Sequence, residues 1–227
     1  MKNIAVIPAR CGSKGIKDKN IKRLNGKPLL VYSIEAALKS GIFDCIHVST
    51  DSMRYAEIAM AYGAEVPFLR GEALSSDNAA TWDVMRFVIS EYELRGKYFD
   101  TLTVLQPTSP LRTCEDIQNA HEVFQKKKAD SVVGVCKVEH SPLWSNVLPE
   151  DGKLNGFIRE GAEKPRQKLL EYYRVNGAIY IVNVQFLKNG GNLFGEHGYA
   201  YIMPKENSVD IDDKMDFAMA EFLMAGR

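Results

Sequence analysis

The chain has 227 residues, with 29 Lys plus Arg against 29 Asp plus Glu, 45% hydrophobic and 26% charged residues. A chain of this size buries roughly 70% of its unfolded surface and needs no disulfide or metal to hold a core, which sets aside disorder, collagen and coiled coil. A formal net charge of zero gives no drive for nonspecific binding to nucleic acid or a membrane surface, and no apolar run approaches the ~18 residues of a membrane helix.

The first residues, MKNIAVIPAR, hold one Lys and a short apolar run broken by Pro8. They lack a signal-peptide pattern, so a cytoplasmic protein is expected. Residues 3–9 predict a buried parallel strand, followed by a polar loop over 10–20. Pro28 opens a helical pattern that Gly41 closes. Residues 45–50 predict a strand, and Asp51 is placed as the cap of a helix running to about Tyr62, with Gly63 as its stop. A third strand is expected at 65–69, a loop at 70–80, and a helix to about Arg95. A strand at 101–106 leads into the turn PTSPLR. Thr113 with Asp116 three residues on is a capping-box start for a helix to Lys128, and 131–138 is strand again.

This alternation predicts one α/β domain over 1–227 with a mainly parallel, Rossmann-like sheet. It breaks at 139–173, which holds Pro142, Pro149, Gly152, Gly156, Gly161 and Pro165. That stretch is expected to be an irregular or β-hairpin excursion, a candidate oligomerisation arm. Strands at 177–183 and 199–204 and a closing helix complete the pattern. Cys11, Cys45, Cys114 and Cys136 are widely spaced without a CxxC, so free thiols are expected and a zinc site is not.

Ligands of open α/β sheets bind outside the carboxyl ends of the strands. The loop after the first strand offers Arg10, Ser13, Lys14, Gly15, Lys19 and Asn20, a set suited to a polyphosphate. A solvated basic loop is an equal reading of these residues alone. Neither G-x-G-x-x-G nor G-x-x-x-x-G-K-[ST] is present, which excludes the usual dinucleotide and P-loop sites. Near the other terminus, Asp210 and Asp212 stand two apart, so in an extended segment both carboxylates point to one side and suit Mg²⁺. For an isolated Asp-x-Asp before a helix, capping is the more common role.

Four motifs carry a resemblance: IPARCGSKGIKDKNI at 7–21, LQPTSPLR at 105–112, NGAIY at 176–180 and SVDID at 208–212. Together and in this order they resemble the acylneuraminate cytidylyltransferases, the CMP-sialic acid and CMP-nonulosonate synthetases. The resemblance implies a fold of the nucleotide-diphospho-sugar transferase type. It implies transfer of CMP from CTP to the anomeric hydroxyl of a nonulosonic acid, with release of pyrophosphate. The sugar would be N-acetylneuraminate or a relative such as legionaminate or pseudaminate.

The resemblance also places residues. Arg10, Ser13, Lys14, Lys19 and Asn20 go to the triphosphate; Arg70 and Ala79 flank the cytosine, with Thr81 near the ribose. Gln106 goes to the sugar, as do Asn176, Tyr180 and Phe194 more weakly, Tyr180 and Phe194 reading equally well as core. Arg166 is implied to meet the sugar carboxylate, reaching the site of a neighbouring subunit in a homodimer. Asp210 and Asp212 are implied ligands of Mg²⁺, and Arg10, Lys14, Asp210 and Asp212 the catalytic set. Arg112 is expected to hold its turn together. Trp144 stands where sialate-activating relatives often have Lys, which leaves the sugar open. No catalytic His is apparent. Two other readings are a 3-deoxy-manno-octulosonate cytidylyltransferase and a non-catalytic nucleotide-binding protein of the same fold.

Overall fold

The computed structural model describes residues 1–12, 15–76, 79–159, 161–162 and 166–226, and of Arg166 the backbone only. In chain order the elements are β1 (Asn3–Pro8), β2 (Arg23–Leu24), β3 (Lys27–Pro28), α1 (Leu29–Ser40), β4 (Cys45–Ser49), α2 (Met53–Ala61), α3 (Thr81–Leu94) and β5 (Thr101–Val104). They continue with α4 (Cys114–Lys127), β6 (Ser131–Lys137), β7 (Tyr173–Asn183), α5 (Val184–Lys188), β8 (Gly198–Ile202) and α6 (Lys214–Ala225).

One six-stranded sheet runs β4-β1-β5-β7-β6-β8. β1 is parallel to β4 and β5, and β8 is parallel to β6. β7 is antiparallel to both of its neighbours. Alternate residues of β1 face opposite ways. Ala5 and Ile7 pack against α1, α2 and α4 through Ile34, Tyr55 and Ile117. Ile4 and Val6 pack against α3 and α5 through Met85, Ile89 and Leu187. α6 forms a third cluster, in which Phe217 and Ala220 meet Ile16, Leu24, Leu29 and Ile211. The C-terminal helix therefore packs on the loop that follows β1.

The direction of β7 decides what reaches the ligand edge. Val104, at the carboxyl end of β5, pairs with Tyr180. The first residues of β7, 173–179, thus project past β5 over the carboxyl edge. The strand starts four residues earlier than the apolar run at 177–183 predicts, because Tyr173, Arg174 and Val175 pair with β6 while their side chains remain exposed.

Two expectations are corrected, and a third is narrowed to the irregular one of its two forms. Residues 65–69 form no strand: Glu65 makes a single bridge to His47, and Pro67 has no N–H to extend the ladder. Asp51 does not cap α2, whose N-cap is Ser52 without a side-chain bond. Its carboxylate instead accepts from Cys11 N (2.8 Å) and Cys11 Sγ (3.1 Å), tying β4 to the loop after β1. The excursion holds no hairpin among the described residues. It runs irregularly between 3-10 turns at Pro142–Trp144 and Arg166–Lys168, and the Trp144 indole donates to Ala162 O at 3.1 Å. One hairpin escapes the sequence reading: β2 and β3 pair around Asn25-Gly26, both left-handed (φ 45° and 84°), the turn that Asn-Gly favours. The capping box of Thr113 and Asp116 forms as its spacing predicts.

Two buried histidines make stability pH-dependent. His47 is fully buried and its pKa falls to about 3, first from burial and then from the charge of Arg70. His121 falls to about 4 from burial alone. Each binds its proton more tightly in the unfolded chain, near the ordinary 6.5. Their contribution is complete above that value and is lost as pH falls toward the folded values. Urea unfolding at pH 5 should show about 2 kcal/mol less stability per histidine than at pH 7. His121→Gln should remove one such increment from the difference; an unchanged difference would show that His121 is not buried neutral.

Candidate active site

A cleft of about 400 Å³ opens at the carboxyl edge of the sheet. Of the residues singled out in the sequence, Arg10, Lys19, Asn20, Arg70, Ala79, Thr81, Gln106, Asp210 and Asp212 line it. Ser13 and Lys14 lie outside the described residues, and so does the Arg166 side chain. Asn176, Tyr180 and Phe194 do not line the cleft.

The loop after β1 is held from within. Asn20, 6% exposed, donates its amide to Arg10 O at 3.0 Å. Arg10 donates to Ser75 O at 3.4 Å, reaching the loop before α3. Lys19 spans the cleft, donating to Ile211 O at 2.6 Å and meeting Asp212 Oδ1 at 3.4 Å. Gly15 allows this closeness, since a Cβ there would lie 2.6 Å from Asp212 O.

Arg70 is 8% exposed, and its Nε and Nη2 are buried without a hydrogen-bond partner. Burial lowers its pKa. A buried guanidinium with unmet donors is costly unless a ligand supplies acceptors.

The opposite wall is the turn after β5. Ile211 N donates to Thr108 O at 2.8 Å, which sets Asp210 beside this turn. The Asp210 carboxyl is pushed above the usual carboxylate range, chiefly by burial and then by the Asp212 charge; Thr108, Lys19 and Arg174 oppose the shift. Asp210 Oδ1 is buried and partnerless, whereas the Asp212 side chain is 82% exposed. An orphaned carboxylate oxygen beside a second carboxylate fits a divalent cation. Among the described residues no three His, Cys, Asp or Glu converge on a metal site, and Mg²⁺ commonly takes one or two carboxylates plus waters and phosphate oxygens.

Gly177, at φ +74°, packs against Gln106 and Asp210. A Cβ there would meet Gln106 Oε1 at 2.7 Å and Asp210 Oδ2 at 3.5 Å. Arg112, 3% exposed, donates to Gln106 O (3.2 Å), Ala178 O (2.8 Å) and Ser33 Oγ (2.6 Å), and burial lowers its pKa to about 9. It joins the turn after β5 to β7, as expected of it.

The remaining named residues sit elsewhere. Asn176 is 1% exposed; its amide donates to Ser208 Oγ at 3.0 Å and its carbonyl accepts from Ala178 N at 3.1 Å. Arg174 donates to Ser208 O at 3.4 Å. Tyr180 packs edge-on to Trp82 (5.8 Å, 83°), and its hydroxyl pKa is raised by burial and by Asp210. Phe194 is 68% exposed and borders a separate hollow with Trp82 and Leu187. Thr108 is a cleft residue that the sequence reading passed over; its place inside the PTSP turn was the available signal.

The sheet with helices on both faces thus carries guanidinium groups and a carboxylate pair at its carboxyl edge. The cytidylyltransferase family model matches residues 4–187, and the chain belongs to that family. It is 40% identical over 220 residues to an N-acylneuraminate cytidylyltransferase of Escherichia coli O18:K1:H7, covering 96% of this chain and 51% of the relative. The chain thus spans about half the length of the first curated relatives it matches. It is 37% identical to the CMP-N,N'-diacetyllegionaminic acid synthase of Legionella pneumophila, covering 99% of this chain and 97% of that one. A solved CMP:2-keto-3-deoxy-manno-octonic acid synthetase complexed with CTP matches with a TM-score of 0.73 at 18% identity, over 100% of this chain and 99% of that chain, and shows the shared fold.

Gly177→Ala should destabilise the protein by about 2–3 kcal/mol, combining a left-handed backbone with a displaced Gln106. Gly152 is also left-handed (φ +68°) but has nothing within 4 Å, so Gly152→Ala should cost only about 1 kcal/mol. Urea unfolding of the pair separates the two contributions; equal losses would mean that Gly177 has no tight contact.

Proposed function

We propose that this protein transfers CMP from CTP to the anomeric hydroxyl of a nonulosonic acid and releases pyrophosphate. The observation that carries this reading is the single cleft joining Arg10, Lys19 and Arg70, with its two unmet donors, to the Asp210–Asp212 pair. In the reaction the sugar oxygen forms a bond to the α-phosphorus as the bond to the pyrophosphate oxygen breaks. Such a transfer asks the protein mainly to align groups and offset charge.

Arg10 and Lys19, with Ser13 and Lys14 from the same loop, hold the triphosphate. Asn20 keeps the Arg10 backbone in place. Arg70 donates to the cytosine O2, a position that separates a pyrimidine from a purine, beside Ala79 and with Thr81 toward the ribose. Gln106 orients the sugar, and Arg166 of a second copy meets its carboxylate. Asp210 and Asp212 hold Mg²⁺, which when bound supplies charge stabilisation at the α-phosphate.

The chain acts as a single catalytic domain, with 139–173 as the arm of a homodimer. Exposed Val147, Leu148, Leu154 and Leu170 along that arm support this assembly. A cytoplasmic location fits the four unpaired cysteines, and among the described residues no helix is long and apolar enough to cross a membrane. The sugar class is supported by relatives named for N-acylneuraminate and diacetyllegionaminate at 37–40% identity. Trp144 supplies no cation, and its indole is engaged within the arm.

Pyrophosphate release from CTP and Mg²⁺ tests the reaction with N-acetylneuraminate, legionaminate, pseudaminate and octulosonate. Turnover is expected with a nine-carbon acid and should fall about 10²-fold or more in Arg10→Ala and in Asp212→Asn. Turnover with octulosonate alone would transfer the protein to the other sugar class. CTP binding without turnover on any acid would leave a binding protein. Sedimentation at micromolar concentration should give a dimer; a fully active monomer would remove Arg166 from the site.

A further inference from the structure

The acidic segment is anchored from behind by a carboxylate whose bonds exceed the needs of helix capping. Asp116 is 3% exposed. As the third residue of α4 it completes the capping box by accepting from Thr113 N at 2.9 Å. Thr113 Oγ1 lies at 3.0 Å from the same oxygen. Two more donors come from a distant part of the chain: Tyr201 Oη to Oδ1 at 3.0 Å and Asn207 Nδ2 to Oδ2 at 2.8 Å. Three donors thus crowd Oδ2 and one meets Oδ1.

Both distant donors lie on the stretch that delivers the acidic pair. Tyr201 is in β8, and Asn207 ends the 3-10 turn Lys205–Asn207, three residues before Asp210. The next residue, Ser208, accepts from Asn176 Nδ2 and donates to Pro204 O at 2.7 Å. On the far side, Ile211 N is fixed to Thr108 O. The segment between these clamps carries the buried, partnerless oxygen of Asp210. Left loose, it would turn that oxygen toward water, since an unmet buried acceptor is costly.

We infer that Asp116 is a positioning residue for the Asp210–Asp212 pair, acting through Asn207 and Tyr201. This rests on the proposed reading of that pair as the cation site. It assigns a capping carboxylate a second task, setting how the cation-binding oxygens are held against the turn after β5.

Two variants test it. Asn207→Ala removes one anchor from a half-buried position and leaves the cap intact. Asp116→Glu keeps a capping box, for which Glu is a usual partner, and moves the carboxylate by one methylene. Mn²⁺ affinity in the presence of CTP is read by electron paramagnetic resonance, together with kcat, half-saturating Mg²⁺ and Tm. Asn207→Ala should lose about tenfold in Mn²⁺ affinity and in kcat, the usual scale for groups that orient metal ligands. Its metal-free CTP affinity should hold within about twofold, and its Tm within about 3 °C. Thr113→Ala should show the opposite pattern, a lower Tm with Mn²⁺ affinity retained. Mn²⁺ binding as tight in Asn207→Ala and Asp116→Glu as in the parent overturns the inference. So does an affinity that falls only in step with Tm, or a parent that binds no Mn²⁺ with CTP. A parent that binds Mn²⁺ with CTP yet turns over no acid sugar defeats the catalytic reading; the Mn²⁺ titrations then decide the positioning role alone.

Discussion

The hydrogen bond from Ile211 N to Thr108 O, 2.8 Å long, joins two segments about a hundred residues apart and brings the acidic pair to the carboxyl edge. Without it, Asp210 and Asp212 would belong to an exposed turn before the last helix. With it, Asp210 Oδ1 is buried beside the turn after β5 and Lys19 can reach across to Ile211 O. Closeness on this scale leaves no space for side chains at the crossing points. Gly15 and Gly177 stand where a Cβ would fall within 2.7 Å of the facing wall. The two glycines and this hydrogen bond express one constraint: three loops from distant parts of the chain share one small volume.

Two buried arginines show how the same side chain serves structure and ligand. Arg112 has its Nη1 and Nη2 groups bonded to two carbonyls and a hydroxyl, and the bonds join β7 to the turn after β5. Arg70 is comparably buried, yet its Nε and Nη2 have no hydrogen-bond partner, and its Nη1 reaches Leu74 O only at a stretched 3.5 Å. Arg112 also leaves its Nε unmet, so the distinction rests on where each points: Arg70 borders the cleft and Arg112 does not. Burial of unpaired donors beside an open volume is how a site stores affinity for an acceptor-rich ligand.

Local signals told most of the fold. Strand and helix alternate as the apolar periods predict, Gly41 and Gly96 follow the helices they were expected to stop, and the box of Thr113 and Asp116 forms. What stayed hidden depends on partners distant in sequence. The reversal of β7 follows from the route of the chain after β6, which no local pattern records. Asp51 reads as a cap because Asp is a good cap, but Cys11, forty residues earlier, claims it. Asn176 lies in a motif that resembles a sugar-contacting one, while its amide is turned inward to Ser208. Thr108 goes unmarked in the sequence reading, yet its carbonyl anchors Ile211 N and it lines the cleft. The residues lining the cleft were legible as a set; which of them hold one another was not.

The cleft and the arm differ mechanically, and the difference bears on specificity. Arg70, Gln106 and Asp210 project from turns clamped to the core, where packing and buried hydrogen bonds resist displacement. The described residues of 139–173 lie mostly exposed, with short 3-10 turns and few buried side chains. On the proposed reading, nucleotide recognition belongs to the clamped edge and the sugar carboxylate is met by the arm of a second copy. Recognition of the base and phosphates would then be set by one folded chain, whereas recognition of the sugar would require two chains to meet. On the same reading, a substitution in the arm, Trp144 included, would change which acid is accepted without disturbing the clamped edge that holds the nucleotide.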